Sequence, residues 1–375
     1  MKTLYTTFVV SVLVLSVVSL LPGVLAVSVG SGITPDITTE KFPPRVWMCD
    51  HRIVTDDSVE PGRTSNFGQE LIERFHNYAF EGEQISWKVL VMDKNKIDQN
   101  IDVYATVGSS QGAGNDIQVN CKRENYGSTS IPNSCNARIQ EEKLTKFDEN
   151  TMAFFTCKLT VETSESMYGE HWVTVEAKDG DGLMGTMDEN EFWFFNPVIA
   201  LSIDGGIAFT DVRPGTDAYS STLTVGNDAD AGSGVMLDMF ISGTDFYDSS
   251  SSGARCPTTN QLSLSNFRYF ATSGAYSTLG DSEIGSRGPG STDDRDKDAE
   301  GYVNIGYASG FNNPYPFYDG YEILQEGGSY VDSVGYRANV LSPGAEMALT
   351  FKLSMPEPCV GDFDSGKIEF WGEAV

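Results

Sequence analysis

The sequence predicts an all-β protein that contains two tandem β-sandwich domains. No stretch keeps an apolar period of 3.6 residues over four helical turns. Residues 171–178 alternate strictly, with Val173, Val175 and Ala177 on one face, which is the period of a half-buried strand. Turns rich in Gly, Ser, Thr and Asn recur along the chain, and its 375 residues are enough for two domains of ordinary size.

The first 26 residues have the organisation of a secretory signal peptide. Lys2 precedes an apolar run from Phe8 to Leu21, and Val24-Leu25-Ala26 is a small-residue cleavage pattern. We expect cleavage after Ala26. An uncleaved membrane anchor is the alternative, although the run is short for a spanning helix. We therefore expect a secreted protein at the extracellular cell surface, with no membrane segment in its mature form.

Residues 27–69 are expected to form an extended N-terminal arm. In one interpretation Trp47 and Cys49 pin this arm to its own first domain. In the other, the arm donates a β-strand to a neighbouring subunit, and main-chain hydrogen bonds provide the affinity. The interface residues would then be Val27, Val29 and Ile33.

The first domain is predicted over residues 70–197. Residues 68–78 contain the one plausible short helix, with Leu71, Phe75 and Tyr78 at helical spacing. Alternation predicts five further strands, at residues 85–91, 101–107, 152–162, 172–178 and 192–195. Together with the cysteine hairpin between residues 121 and 135 they give about seven strands, which is the number in an immunoglobulin-like (Ig-like) sandwich.

Residues 191–203 predict a joint between the two domains. The aromatic run Phe192–Phe195 is too apolar for a strand with one solvated face, and Asn196-Pro197 ends it. Alternation then restarts with Ile199, Leu201 and Ile203 on one face. We expect the last hairpin of the first sandwich, a stiff two-residue joint and the first strand of the second sandwich, with the aromatic run packed where the domains meet.

The second domain is predicted over residues 198–375. Strand patterns occupy residues 221–227, 234–243, 341–353 and 367–371. Between the second and third of these patterns, residues 256–339 are predicted to form a long irregular insertion that contains an acidic run and an aromatic run. Loops of this length usually have a function.

These strand patterns resemble those of a known group of modules. TLTVGN, LSPG and IEFWGEAV in the second domain resemble Ig-like modules of secreted prokaryotic surface proteins. YAFEGEQISWKVLVMDKN and EHWVTVEAKDGDG in the first resemble polycystic-kidney-type repeats. The chain is therefore similar to exported archaeal proteins with tandem modules of this kind. The resemblance implies the fold, and it carries no catalytic residue across.

Six cysteines in an exported chain predict three disulfides. The most local pair flanks residues 122–134. No C-x-x-C pair occurs, which argues against a zinc site. Sequence does not prove connectivity, and the expected pairs are Cys121 with Cys135, Cys49 with Cys157, and Cys256 with Cys359.

A cluster of carboxylates near residue 180 is a candidate calcium site, because a hard cation prefers oxygen ligands. Its spacing does not fit an EF-hand loop, and a solvated acidic turn is the alternative. The G-x-G-x-x-G pattern at 180–185 predicts a hairpin turn, since no helix follows it to receive a pyrophosphate. The candidate ligands are Asp179, Asp181, Asp188, Glu189 and Glu191.

Charge and motif content exclude several functions. A formal net charge of −28 argues against nucleic acid or anionic lipid as a partner and suits a salty or calcium-rich exterior. No G-x-S-x-G elbow occurs, and the three histidines form no ligand pair. We therefore expect that the protein is not an enzyme.

The aromatic run in the second domain allows three interpretations. It can stack on sugar rings, form a subunit contact or fold back over its own sandwich. We expect a structural subunit of a cell-surface assembly, an S-layer-like sheet or a filament, in which the protein self-associates as a homo-oligomer. The alternative is an adhesin or glycan-binding module, with calcium assisting. The aromatic residues concerned are Phe311, Tyr315, Phe317, Tyr318 and Tyr321.

Overall fold

The computed structural model describes residues 32, 34–49, 52–56, 71–97, 100–135, 144, 146–187, 190–250, 253–282, 284, 295–307, 321–325 and 338–375. The chain divides into two units, Met1–Lys41 and Phe42–Val375. In the first unit, residues 34–41 are exposed and have no regular secondary structure. In the described ranges the second unit is almost entirely β-structure, as the sequence predicted. Its two 3-10 helices are Asn133–Cys135 and Leu264–Asn266, and no described helix is long and apolar enough to cross a membrane.

The first sandwich contains twelve described strands in two sheets. Their bounds are β1 Arg45–Met48, β2 Ile53–Asp56, β3 Ile72–Arg74, β4 Tyr78–Ala79, β5 Glu83–Met92, β6 Asp102–Gly108, β7 Ile117–Asn120, β8 Lys122–Glu124, β9 Met152–Thr160, β10 Gly169–Lys178, β11 Met184–Thr186 and β12 Glu191–Phe195. One sheet has the order β3-β2-β5-β9-β8, with β1 also on β5. The other has the order β4-β12-β10-β6-β7, with β11 on β10.

Strand alternation builds the core between these two sheets. Trp87 and Val89 of β5 are buried beneath Val173 and Val175 of β10 in one apolar cluster. Each of these strands therefore has one face directed to the core, the packing that a sandwich requires.

The N-terminal side of the first sandwich differs from the sequence prediction. Strands β1 and β2 lie within the predicted arm, yet both pair with β5 of the same chain. Trp47 is buried, and Cys49 is disulfide-bonded, so the interpretation that pins residues 45–49 to their own domain holds for the described part. Residues Val27, Val29 and Ile33 lie outside the described residues.

The short helix predicted over residues 68–78 is wrong for its described part. Residues 72–74 form β3 instead and pair with β2. The reason lies in burial, because Leu71 and Phe75 are exposed whereas Arg74 between them is buried. Two of the three apolar positions of the supposed helix, Leu71 and Phe75, therefore cover no core.

The second sandwich contains the remaining described strands. Their bounds are β13 Leu201–Asp204, β14 Asp217–Tyr219, β15 Leu223–Asn227, β16 Leu237–Gly243, β17 Phe246–Tyr247, β18 Gln261–Leu262, β19 Phe267–Ser273, β20 Tyr276–Ser277, β21 Val303–Asn304, β22 Tyr321–Glu322, β23 Val340–Leu341, β24 Glu346–Ser354 and β25 Ile368–Ala374. The larger sheet has the order β13-β15-β24-β19-β20, with β14 on β24 and β21 on β19. The facing sheet has the order β22-β16-β23, with β25 on β16, and β17-β18 form a separate ribbon.

The stretch predicted as an irregular insertion, 256–339, contains a central strand of the larger sheet. Strand β19 pairs with β24 over six positions. Phe267, Tyr269 and Ala271 alternate into the core, a period of two that the flanking loops obscure. The irregular description is therefore wrong for residues 267–273.

Two of the three predicted disulfide pairings are wrong. The structure joins Cys49 to Cys135 and Cys121 to Cys157, while Cys256 pairs with Cys359 as predicted. Sheet register explains the difference. Lys122 of β8 lies opposite Thr156 of β9, so Cys121 is brought beside Cys157. Nearness in sequence predicted the wrong partner because strand pairing decides which chain segments are neighbours.

The aromatic run in β12 divides between the two sandwiches. β12 pairs with β10 in an antiparallel ladder, as expected for the last hairpin. Trp193 and Phe195 lie in the core of the first sandwich, whereas Phe192 and Phe194 pack against that of the second. The prediction that the whole run packs between the domains was therefore wrong for half of its residues.

Hydrogen bonds also join the sandwiches next to this aromatic contact. The Tyr78 hydroxyl donates to the Val375 carbonyl at 2.6 Å, and the Tyr168 hydroxyl donates to Asp230 Oδ2 at 2.9 Å. Tyr78 is fully buried, and this burial raises the pKa of its hydroxyl to about 12. At physiological pH the hydroxyl therefore keeps its proton and remains a donor.

Tyr78→Phe tests this contact. We expect a loss of about 1–2 kcal/mol in the free energy of unfolding, because the Val375 carbonyl loses its donor inside the contact. Guanidinium denaturation under non-reducing conditions measures the change. The matched control is Tyr276→Phe, since Tyr276 is 42% exposed. Equal stability of both variants would show that the Tyr78 hydroxyl does not stabilise the contact.

Candidate functional site

An apolar cleft opens between the two sheets of the second sandwich. Its volume is about 980 Å³, near the upper end of the range for ligand-binding pockets. Ile203 is 54% exposed and Val360 is 68% exposed, so apolar surface at the cleft contacts solvent. The side chains that line the cleft from both sheets include Ile203, Leu223, Phe267, Leu353, Ile368 and Phe370.

The cleft lies beside two edge strands. β13 pairs with β15 and with no other described strand. β25 pairs with β16 along all seven of its residues and with no other strand in the described ranges. Ile203 of β13 and Ile368 and Phe370 of β25 all line the cleft. One side of the sandwich is therefore bounded by an edge strand from each sheet.

The outer backbone groups of β25 belong to the residues that line the cleft. Val375 N donates to Met236 O, and Thr244 N donates to Lys367 O. In an antiparallel ladder such pairs recur at every second residue. Odd-numbered residues of β25 therefore bond to β16, and the N–H and C=O groups of Ile368 and Phe370 point away from it.

The same geometry holds on β13. Asp228 N donates to Ala200 O at 2.9 Å, so even-numbered residues face β15, and the backbone groups of Leu201 and Ile203 point to the opposite side. Both edges thus present backbone donors and acceptors beside inward-facing apolar side chains. This arrangement suits an added β-strand.

The cleft is narrow at one end and partly covered by its own chain. A Cβ atom placed on Gly372 would lie 3.2 Å from Leu201 Cδ1, so β13 and β25 approach closely there. Residues 205–207 and 209–212 line the cleft. Within this loop, the Phe209 ring packs edge-on against Phe267 with ring centroids 5.9 Å apart.

The charged residues that line the cleft are two aspartates. Asp211 and Asp362 line it and are exposed, as is Asp204 at the end of β13. Most of the side chains that line the cleft are aliphatic or aromatic. The arrangement can bury apolar groups, at roughly 25 cal/mol for each Å² removed from water.

The predicted calcium ligands do not form one set. Asp179 Oδ1 accepts the Leu183 amide at 2.8 Å and closes a turn. Glu191 pairs with Arg52 at 2.6 Å and lies opposite Val173 in the ladder, roughly 20 Å along β10 from residue 179.

Asp181 is exposed in the same turn as Asp179, while Asp188 and Glu189 lie outside the described residues. Among the residues that the structure describes, no group of three or more Asp, Glu, His or Cys side chains is placed to hold a metal ion. Calcium binding stays a prediction.

Of the predicted aromatic interface residues, only Tyr321 is described. It belongs to β22, is half-buried, and its ring centroid lies 4.8 Å from the Arg295 guanidinium carbon. Tyr321 therefore packs within its own sandwich. A role in sugar stacking stays a prediction for the others, which lie outside the described residues: Phe311, Tyr315, Phe317 and Tyr318.

Sequence reasoning did not identify the cleft. Ile203 and residues 367–371 were predicted as strand positions, but nothing in either pattern shows that both strands lie at sheet edges. The only available signal was position, because these are the first and last strands predicted in the second domain.

A separate ion cluster surrounds Lys352 of β24, next to the Tyr219 and Tyr302 rings. Its Nζ lies 3.1 Å from both Asp298 Oδ2 and Glu300 Oε2 and 3.3 Å from Asp217 Oδ2. These pairs join the segment around residue 298 to β24 and β14. Their chemistry is structural, since each charged group already has an opposite charge beside it.

Hydrogen bonding sets the ionisation of Asp298. Burial works to raise its pKa, but bonds from the Tyr302 amide and the Lys352 ammonium outweigh burial and hold the pKa below its ordinary value of 3.8. The ionised carboxylate therefore stabilises the fold above about pH 4, and this contribution is lost as pH falls through the lower folded-state pKa.

Asp298→Asn tests this ion cluster. Above pH 4 we expect the variant to be less stable than the parent by about 1 kcal/mol, because Asn provides no charge for Lys352. The difference should shrink as pH falls towards 2. Melting temperatures between pH 2 and pH 7 measure it, with the exposed Asp204→Asn as the control. A pH-independent difference would contradict the assignment.

Comparisons with known proteins give no family for this chain. No family model and no curated protein matches it. Solved structures match weakly. The C-terminal domain of the AgI/II polypeptide BspA from Streptococcus agalactiae has 11% identity and a TM-score of 0.27, over 89% of this chain and 96% of that one. A putative secreted protein from Eubacterium rectale has 8% identity and a TM-score of 0.19, over 78% and 70%. Similarity at this level carries no information about function.

Proposed function

We propose that the protein is an extracellular structural subunit that assembles with copies of itself at a cell surface. One observation carries the proposal. The second sandwich has an apolar cleft beside two edge strands, whose outer backbone groups are directed away from their own sheets. Natural proteins usually protect such edges, since they pair readily with other chains. Assembly would bury this surface.

The predicted signal peptide and the three disulfides support an extracellular setting. The aromatic contact and the hydrogen bond between Tyr78 and Val375 support a second property that a structural subunit needs, a fixed geometry between the sandwiches. Each subunit would act as one rigid block, and contacts between copies would then repeat with the same geometry.

Net charge sets the conditions for assembly. A formal charge of −28 makes copies repel one another at low ionic strength. The Debye length falls from about 30 Å at 0.01 M salt to about 10 Å at 0.1 M. Added salt or a divalent cation would therefore bring copies close enough for the apolar contact to form.

Electron microscopy and light scattering of residues 27–375 test the proposal. We expect ordered sheets or filaments that increase as NaCl is raised from about 0.01 M to about 0.5 M, because repulsion is screened while apolar burial is retained. A parallel series with millimolar CaCl₂ at constant ionic strength separates specific calcium binding from screening. Monomers under every condition would overturn the proposal and favour the glycan-binding alternative.

A further inference from the structure

We infer that the cleft of one copy binds residues Val27–Thr34 of a second copy as an added β-strand. The inference rests on the proposed function and names the donor segment and the acceptor site. Three properties carry it: the side-chain pattern of the donor, its match to the cleft, and the limited reach of the chain that follows it.

The donor segment has a one-sided strand pattern. Its sequence is VSVGSGIT, and at a period of two Val27, Val29 and Ile33 fall on the same side, together with the small hydroxyl side chain of Ser31. Ser28, Gly30, Gly32 and Thr34 fall on the other side. The segment has no charged side chain, so insertion would place mainly aliphatic groups, with the Ser31 hydroxyl between Val29 and Ile33, in the cleft without burying a side-chain charge.

The length of the donor matches the acceptor edge. Eight extended residues span roughly 26 Å, and β25 offers an edge of seven residues. Pro35 follows immediately. Because proline has no backbone N–H and cannot donate to a ladder, it is a natural end to the inserted strand.

The N-terminal end of the donor would carry a charge opposite to that of the carboxylates at the cleft. Cleavage after Ala26 would leave a cationic α-amino group on Val27. The exposed carboxylates of Asp211 and Asp362, which line the cleft, and of Asp204 at the end of β13 provide the opposite charge. Exposed pairs of this kind contribute little affinity, but they favour one orientation of the incoming strand.

The donor must come from a second copy because the linker is short. The chain is held at Phe42, whose amide donates to Asn95 Oδ1 and whose ring faces Lys94. This anchor lies beyond the Met92 end of β5. The Glu83 end of β5 is the one near the second sandwich, since Phe80 bonds to Glu83 and packs against the second core.

The two ends of β5 are roughly 30 Å apart. The eight steps from Thr34 to Phe42 span at most about 28 Å. The cleft lies still further away, because Val375, which contacts Tyr78, follows the Ala374 end of β25, and Ile368 is the opposite end. A donor anchored at Phe42 therefore reaches the cleft of a neighbouring molecule and not its own.

This arrangement makes the contact heterologous. Each copy offers one donor segment and one cleft on different parts of its surface, so the contact repeats head to tail and grows without closing unless the rotation forms a ring. A filament, or a sheet built from filaments, is the expected product.

Two variants of residues 27–375 test the inference. Ile203→Asp puts a carboxylate in the cleft at a position that is 54% exposed, so the fold should tolerate it. Val29→Asp with Ile33→Asp blocks the donor. The matched controls are Ile199→Asp, which is 45% exposed and outside the cleft lining, and Ile37→Asp, which is 78% exposed and beyond Pro35. Circular dichroism confirms that each variant is folded.

Analytical ultracentrifugation of the variants and of their mixture gives the result. Each blocked variant alone should associate at least about 100-fold more weakly than the parent, because a carboxylate would be desolvated in the apolar contact. The two variants mixed in equal amounts should form a 1:1 dimer and no larger species, since only one intact cleft and one intact donor then meet. The controls should assemble like the parent.

Other outcomes separate the two proposals. If the parent assembles and both blocked variants assemble equally well, the strand insertion is wrong while the structural-subunit proposal stands. If the mixture gives no dimer, the donor and the cleft do not pair with each other. If the parent itself never assembles, the proposed function fails. If the donor variant alone changes the stability of a monomeric parent, the segment inserts into its own chain and the inference is overturned.

Discussion

The two-residue period of the β-strand is the constraint on which this structure depends. In β12 it sends Trp193 and Phe195 into the first core and Phe192 and Phe194 towards the second. One short strand therefore belongs to both sandwiches. In β13 and β25 the same period places cleft-lining side chains on residues whose backbone groups point outward. The joint and the cleft are thus two results of a single geometric rule.

The balance between burial and exposure differs at these two places. At the joint, apolar groups are covered within the chain, and the Tyr78 hydroxyl satisfies a backbone carbonyl. At the cleft, Ile203 remains more than half exposed beside two strands whose outer edges pair with no other described strand. Covering apolar area is favourable in both places, and among the described residues the joint is covered within one molecule whereas the cleft is partly open. Association between copies would supply the missing cover.

Charge acts against that association over a longer range. A formal charge of −28 implies electrostatic repulsion between copies in dilute buffer, whereas an apolar contact at the cleft would act only at short range. Within the chain, the ion cluster at Lys352 reduces carboxylate repulsion locally, since three carboxylates surround one ammonium group. Dissolved ions outside the cell would screen the remaining negative charge.

The sequence by itself determined the all-β class and most long strands, because alternation is a local property that each strand carries within itself. It also predicted the hairpin of β10 and β12 and the pairing of Cys256 with Cys359. The other two disulfides, the strand Phe267–Ser273 within the supposed insertion and the cleft emerged only in the tertiary structure. Each depends on which strands are neighbours. Register across a sheet and position at its edge are non-local, so no single stretch of residues encodes them.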